Sequence, residues 1–384
     1  MHISKFQLRE LVAAIRLGLK QSVPLASGVC LGLAIAPSPA LAEPASNALP
    51  VIEKVSAGDV TVSKSASTLN VNQSSNRAIV DWQSFDVGRD AKVRFNQPSS
   101  SASTLNRING SNASQIFGRI EALGEVILVN PYGMYFSPTA TVDVGSIIAS
   151  VNSISAENYL AGNYVFERDG ASGAIVNDGE IRASLGGYIA MLAPEVRNNG
   201  VMLAQMGTVA LASGDRVSLN FGLGRKLNSL TATQSTIDAL IENKSAVEAP
   251  GGLIILSARG VSEIARGVIN NSGTLDLSDG GLSYVNEGGR LLIAADSVNL
   301  SSDQLIDASI DSDVLLGSAN QQAGVIDLSA TDVVTVAGAI NASANKAGTV
   351  SIAAGESVGL NDATIRVEGD VNGGDISIKA INSA

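Results

Sequence analysis

The residues best suited by type and spacing to do chemistry are four carboxylates, Asp303, Asp307, Asp311 and Asp313. A close pair of carboxylates can share general acid and base roles, and several converging oxygens can hold a divalent cation. The spacing here does not match an EF-hand loop, and no basic residue lies between them, so a solvated loop is the simpler reading. The calcium nonapeptide Gly-Gly-x-Gly-x-Asp is absent from the chain. No glycine-rich loop follows a strand and opens a helix to cradle a phosphate. The one histidine is His2 and the one cysteine is Cys30, both inside a segment that reads as a leader. Beyond it the chain has no means of forming a Ser-His-Asp triad, a cysteine nucleophile, a His or Cys zinc site or a disulfide. No catalytic residues, no metal and no cofactor are expected.

The leader has three parts. Residues 1–22 are basic, Val23–Ala36 is apolar and uncharged, and Ala40-Leu41-Ala42 is a small-x-small cleavage site before Glu43. The apolar run is too short to span a membrane. Cys30 does not read as a lipidation site, because Val29 precedes it and the apolar run continues past it. Lys5, Arg9, Arg16 and Lys20 against Glu10 give the first 42 residues a net +3, leaving −14 on the rest of a chain whose total is −11. That acidic balance argues for solubility and against nucleic acid or an anionic membrane as partner.

The elements that would position any site are short strands. The 384 residues are 45% hydrophobic but only 4% aromatic, with 39 glycines. Small and β-branched residues with frequent glycine favour many short strands around a narrow aliphatic core. A repeat, Asn-x-Gly/Ser-x-aliphatic-x-Ala/Leu-x-x-Gly, begins at Asn177, Asn198, Asn243 and Asn271, with spacings of 21, 45 and 28 residues. Recurring strands of this kind mark a solenoid whose coils bury their apolar faces on one another. The Asn residues are expected to stack as a ladder along the axis. The Gly at the third position is expected to supply a turn with φ > 0. The predicted fold is all-β, a right-handed parallel β-helix with an N-terminal cap and short extra-helical elements, on the order of 15 coils and roughly 70 Å long. The expected divisions are 1–42 signal peptide, 43–165 core with cap, 166–300 coils with a helical insertion near 222–243, and 301–384 further coils. Ser155–Ala161 reads as a helical turn capped by Ser155. Ser235–Asn243 reads as a short helix within the insertion. A further, weaker strand is expected after Gly281. Asp375–Ile378 is a good strand, so the pattern has not closed with a polar cap, and the chain reads as a truncated version of a longer exoprotein or as one whose end is covered.

The whole is organised around Val126–Val129, an aliphatic run that reads as a fully buried strand ending in Asn130-Pro131-Tyr132-Gly133. Asn at the first position accepts from the backbone, Pro presets φ at the second, and Gly suits the fourth, a type I pattern. Trp82 and Phe85 read as core or cap residues.

The series Asn76–Phe85, Val93–Pro98, Leu105-Asn106-Arg107-Ile108, Ser114–Ile120 and the turn at Asn130, in that order, resembles the N-terminal secretion domain of the filamentous haemagglutinin family. These are the large exoproteins of Gram-negative two-partner secretion. The resemblance covers roughly residues 50 to 300. The family usually has Asn-Pro-Asn-Gly where this chain has Tyr132 in the third place, and the Asn-Pro-Asn-Leu motif of some members is absent. The resemblance implies a secretion motif comprising Asn106, Arg107, Asn130, Pro131, Tyr132 and Gly133. It also implies a partner, an outer-membrane transporter with periplasmic POTRA domains, and an adhesin-type scaffold that is secreted or held at the cell surface. A receptor on a host or neighbouring cell is a further candidate partner; stable membrane insertion is not implied. The alternative class is a secreted β-helical polysaccharide lyase or hydrolase, which would need carboxylates and basic residues convergent in one groove. If the leader is removed at Ala40-Leu41-Ala42, mass spectrometry of exported protein will give Glu43 as the N-terminus; a mature chain that still holds Cys30 would refute that site.

Overall fold

Aliphatic residues at every second position can bury one row of side chains per strand, and Gly, Asn and Ser between them permit sharp corners. In the computed structural model, which describes residues 42–261, 265–278, 288–310 and 321–381, this pattern closes into a right-handed parallel β-helix with three strands per coil. One face climbs from Arg77–Ser84 through Ser103–Ile108, Glu125–Val129 and Ser146–Ser150 to Thr349–Ala354 and Asp375–Ala380. Ten successive parallel pairings join eleven rungs on this face among the described residues. The expectation of about 15 coils was too high because residues 151–173 and 214–238 leave the ladder.

Register puts like on like. Val126, Ile147, Ile189, Val209, Ile254, Leu291, Ile326 and Val350 form one inward column, every member fully buried. Each such side chain is worth about 1.5–3 kcal/mol when removed from water. At the start, Val51–Ala57 lies antiparallel on Arg77–Ser84, and Val60–Lys64 lies antiparallel on Thr68–Gln73. These strands are the N-terminal cap.

Strand Glu125–Val129 is buried along its whole length, as its composition implied. Its inward side chains join the core, while Ile127 and Val129 face an outer layer. That layer contains helix α1, Ala156–Ala161, capped by Ser155, whose side chain accepts from the Asn158 N–H. It continues as an antiparallel sheet of Val165–Glu167, Arg216–Phe221 and Leu227–Ala232. The helix expected at Ser235–Asn243 is instead strand Ala239–Asn243, with Ala239, Ile241 and Asn243 buried in alternation. Ile237, Leu240 and Ile241 are spaced for a helix, but strand Glu195–Asn198 beneath offers a template in register, and tertiary pairing overrides the local period. The insertion near 222–243 holds only a single 3-10 turn, Leu223–Arg225, at the tip of a hairpin. Trp82 and Phe85 are buried and meet edge to face at 5.3 Å. The strand expected after Gly281 falls on residues 281–287, outside the described residues.

The Asn ladder is present. Asn177 donates to Asn198, Asn198 to Asn243 and Asn243 to Asn271, at 2.8, 2.8 and 2.7 Å, and all four side chains are buried. The third-position glycines have a different role from the one expected. Gly179, Gly200 and Gly273 have no positive φ. A Cβ on them would stand 2.5, 2.1 and 2.0 Å from the carbonyl oxygens of Ser137, Gly179 and Ser245. They are small because adjacent coils touch there.

The ladder predicts an asymmetry between neighbouring asparagines. Asn198→Ala strands a buried donor on Asn177 and a buried acceptor on Asn243, and should cost about 2–4 kcal/mol. Asn199→Ala, one residue along and exposed, should stay within about 0.5 kcal/mol. Chemical denaturation of both variants checks this.

Candidate functional site

The turn after Glu125–Val129 is held from both sides. The Asn130 carbonyl accepts from the Gly133 N–H at 3.0 Å, and Asn130 Oδ1 accepts from the Tyr132 N–H at 3.0 Å. This is an Asx turn laid over a β-turn. Asn130 Nδ2 donates backward to the Asn112 carbonyl and to Ser114 Oγ, each at 3.0 Å, while its backbone N–H donates forward to the Ser150 carbonyl at 2.9 Å. One fully buried side chain therefore ties its own coil to the previous one, and its backbone reaches the next. Gly133 has φ +102°, and a Cβ there would lie 2.4 Å from the Ala174 carbonyl oxygen. No other residue fits. Pro131 is exposed, and Tyr132 is 55% exposed.

Asn106 is buried one rung earlier. Its Oδ1 accepts from Trp82 Nε1 at 3.0 Å, and its Nδ2 donates to the carbonyls of Thr104 and Ile127. Arg107 pairs in register with Val129 and grips Asp81 with two hydrogen bonds, Nε at 2.6 Å and a terminal nitrogen at 3.0 Å. Ser56 also donates to Asp81, and Lys54 stands 4.0 Å away, both from cap strand Val51–Ala57. Burial pushes the Asp81 carboxyl up, but the Arg107 and Ser56 hydrogen bonds and the Arg107 and Lys54 charges outweigh it and hold it below the usual value. Of the predicted residues, Arg107 and Asn130 thus follow the cap and Asp81 on consecutive rungs. Ala42 is exposed, and Ala40 lies outside the described residues.

A second polar cluster had no sequence signal beyond a lone acid opening an aliphatic strand. Glu125 is fully buried, and its Oε2 accepts from Arg225 and, at 3.0 Å, from the Tyr164 hydroxyl. Arg225 reaches across 100 residues from the hairpin tip and also donates to Tyr164 at 2.8 Å. Arg77 donates to the Tyr159 carbonyl at 2.6 Å and lies over the Tyr159 and Tyr164 rings. Burial pushes Glu125 up, whereas the Glu125 charge holds Arg225 above its ordinary value against burial. These shifts pull apart, one toward a neutral acid and one toward an ion pair; the direct contact favours the pair at neutral pH. The Tyr188 hydroxyl is near enough to influence Glu125 without reaching hydrogen-bond geometry. Burial, with the Glu125 charge, pushes Tyr164 up to about 12, so it is no base near neutrality. The cluster pins the outer layer to the coils.

Of the four candidate carboxylates, Asp303 is exposed and Asp307 accepts from the backbone and hydroxyl of Ser309 within its own turn. Asp311 and Asp313 lie outside the described residues. Among the described residues no three His, Cys, Asp or Glu side chains come together as metal ligands would. No described helix is long and apolar enough to cross a membrane.

A family model described as the TPS secretion domain matches residues 47–283. A heme/hemopexin-binding protein of Haemophilus influenzae is 28% identical over 261 residues, covering 66% of this chain and 28% of the relative. A second heme/hemopexin-binding protein from the same species is also 28% identical, over 275 residues, covering 66% of this chain and 29% of that relative. The chain thus spans less than a third of the length of these curated relatives. The crystal structure of the HMW1 secretion domain from Haemophilus influenzae superposes with a TM-score of 0.66 at 23% identity, covering 85% of this chain and 96% of that one, and shares the fold.

The Arg107–Asp81 pair yields a signed pH prediction. The folded Asp81 pKa is depressed, so its stabilisation is complete above the unfolded value of ~3.9 and is lost as pH falls through the folded value. Arg107→Ala leaves a buried carboxylate short of its main partner, a loss on the order of 3 kcal/mol. The melting temperature gap between wild type and Arg107→Ala should be widest near neutral pH and narrow below about pH 4. A gap independent of pH would assign the loss to packing of the arginine stem.

Proposed function

The chain belongs to the TPS secretion-domain family, and from that premise we propose that it is the substrate half of a two-partner secretion pair in a Gram-negative bacterium. Residues 43–165 are the part read by the POTRA domains of an outer-membrane transporter, residues 166–300 and 301–384 add coils, and the β-helix serves outside as an adhesin-type scaffold. The match over residues 47–283 carries this reading.

Physical features support it. With its only cysteine at position 30, the chain beyond residue 42 has no disulfide to lock it before transit. An unfolded strand can add to the edge of a transporter sheet by β-augmentation, through main-chain hydrogen bonds and alternate side chains. Once outside, each coil finds its template in the coil already formed, beginning from the antiparallel cap. Asn130 matters in this scheme as a staple between coils, since its side chain has three partners and no exposure. The exposed third residue of the turn has no such duty.

Co-expression with the cognate transporter tests this. The Asn130→Ala/Pro131→Ala double variant should leave most of the protein cell-associated, while Tyr132→Asn should reach the medium at the wild-type level. Normal release of the double variant, or failure of Tyr132→Asn, would overturn the role given to the turn. Export that does not depend on the transporter would overturn the pairing itself.

A further inference from the structure

Three successive coils turn the same corner with unequal lengths of chain. Glu121, Asp143 and Arg182 stand in register before it, and Val126, Ile147 and Ile189 after it. Residues 122–125, 144–146 and 183–188 fill the three gaps, and the middle one is the shortest. Leu123 and Leu185 project from the longer corners, 57% and 64% exposed, and Gly145 turns the coil between them. Gly224 and Arg225, at the hairpin tip, line the same notch, and the cavity so formed measures about 260 Å³. Arg225 has φ +62°, a left-handed conformation uncommon outside glycine. Its hydrogen bonds to Glu125, Tyr164 and the Ser101 carbonyl hold it there, and backbone held in this way is frequent at ligand clamps.

Two polar groups of this cavity are unsatisfied among the described residues. Glu125 and Tyr188 both line it and are 4% and 2% exposed. Arg225 and Tyr164 take Glu125 Oε2, whereas Glu125 Oε1 and the Tyr188 hydroxyl have no hydrogen-bond partner. Burial keeps the proton on Tyr188, so one acceptor and one donor stand close together. A buried polar group left unpaired costs free energy, and a ligand that pairs both removes that cost. Its charge is constrained. Arg225 and Arg77 already balance Glu125, so an ammonium would be a surplus cation. A carboxylate or phosphate would meet the lone pairs of Oε1. A hydroxyl is neutral and both donates and accepts. Ser100 and Ser146 also line the cavity and call for more such groups on the same molecule, which a polyhydroxylated ring has and a lone amide lacks.

We propose that this notch binds one ring of a neutral saccharide. One ring hydroxyl donates to Glu125 Oε1 and accepts from the Tyr188 O–H, its neighbours meet the serines, and Leu123 and Leu185 pack on the C–H faces. The volume lies just below the roughly 300 Å³ at which ligand pockets begin, which limits the occupant to a single ring. Binding here asks nothing of the transporter and stands or falls apart from the export route.

Saturation-transfer NMR on the purified full chain, with D-glucose, D-galactose and D-mannose as probes, measures this at neutral pH. At least one of the three should receive saturation, and ethylammonium and acetate should receive none. Tyr188→Phe should weaken sugar binding at least tenfold and melt no lower than wild type, because it deletes a hydroxyl that the free protein leaves unpaired. Leu123→Ala/Leu185→Ala, at two exposed positions, should weaken binding about threefold with an unchanged melting curve. Absence of saturation on all three sugars, or equal binding by Tyr188→Phe, would overturn the proposal. So would a Tyr188→Phe variant that melts well below wild type, since that outcome assigns the hydroxyl to a structural bond with Glu125.

Discussion

A coil of this protein can bury its inward row only against the coil before and the coil after. The column from Val126 to Val350 shows what that demands: strand by strand, an aliphatic side chain of similar size at the same position. A slip of one residue would turn a whole row outward. The corners are subject to the same demand. Gly179, Gly200 and Gly273 have no side chain because the neighbouring coil's carbonyl occupies the space a Cβ would need. The buried Asn ladder answers a related problem, since the corner leaves amide groups in the core and each asparagine satisfies the next. Register, corner glycines and ladder are therefore one constraint seen at three places.

The early coils depart from that scheme on their outer face. Strands such as Glu125–Val129 and Tyr188–Leu192 are aliphatic on both sides and need a second layer. Helix α1 and the three-stranded sheet provide it, and Glu125, Arg225, Tyr164 and Arg77 fasten it down. A buried ion pair gives little net stability by itself. Its contribution here is positional, because a guanidinium at the hairpin tip finds a single buried carboxylate on the coil surface. Past Leu253–Ala258 the outer faces are only partly covered, and the coils become simpler.

How much of this was legible depended on whether the signal was local. Alternation, the Asn spacing, the Asn130 turn and the Ser155 cap each lie within a few residues, and each appears where the residues put it. Ser235–Asn243 was misread because Ile237, Leu240 and Ile241 fit a helical face, although Asn243 also belonged to the repeat and so had to sit on a rung. The third-position glycines were legible as glycines, but their reason was not, since a close approach depends on a neighbouring coil, through Ser137, Gly179 and Ser245. The tie between Glu125 and Arg225 spans 100 residues and left only one trace, an acid at the head of an aliphatic strand.

These ranges of contact also order the assembly. The inward columns grow by neighbours alone and can extend as chain emerges, one coil on the last. The cap closes early, since Ser56, Asp81 and Arg107 lie within about 50 residues. The part of the outer layer tied to Glu125 through Arg225 cannot close until that residue is present, 100 residues later in the chain. Loop closure over that span is entropically slow relative to coil addition. The two-sided coils are thus the part of the molecule whose folding must wait on distant sequence. They also lie within residues 47–283, the stretch that defines the family, whereas the simpler coils beyond need nothing but the coil before them.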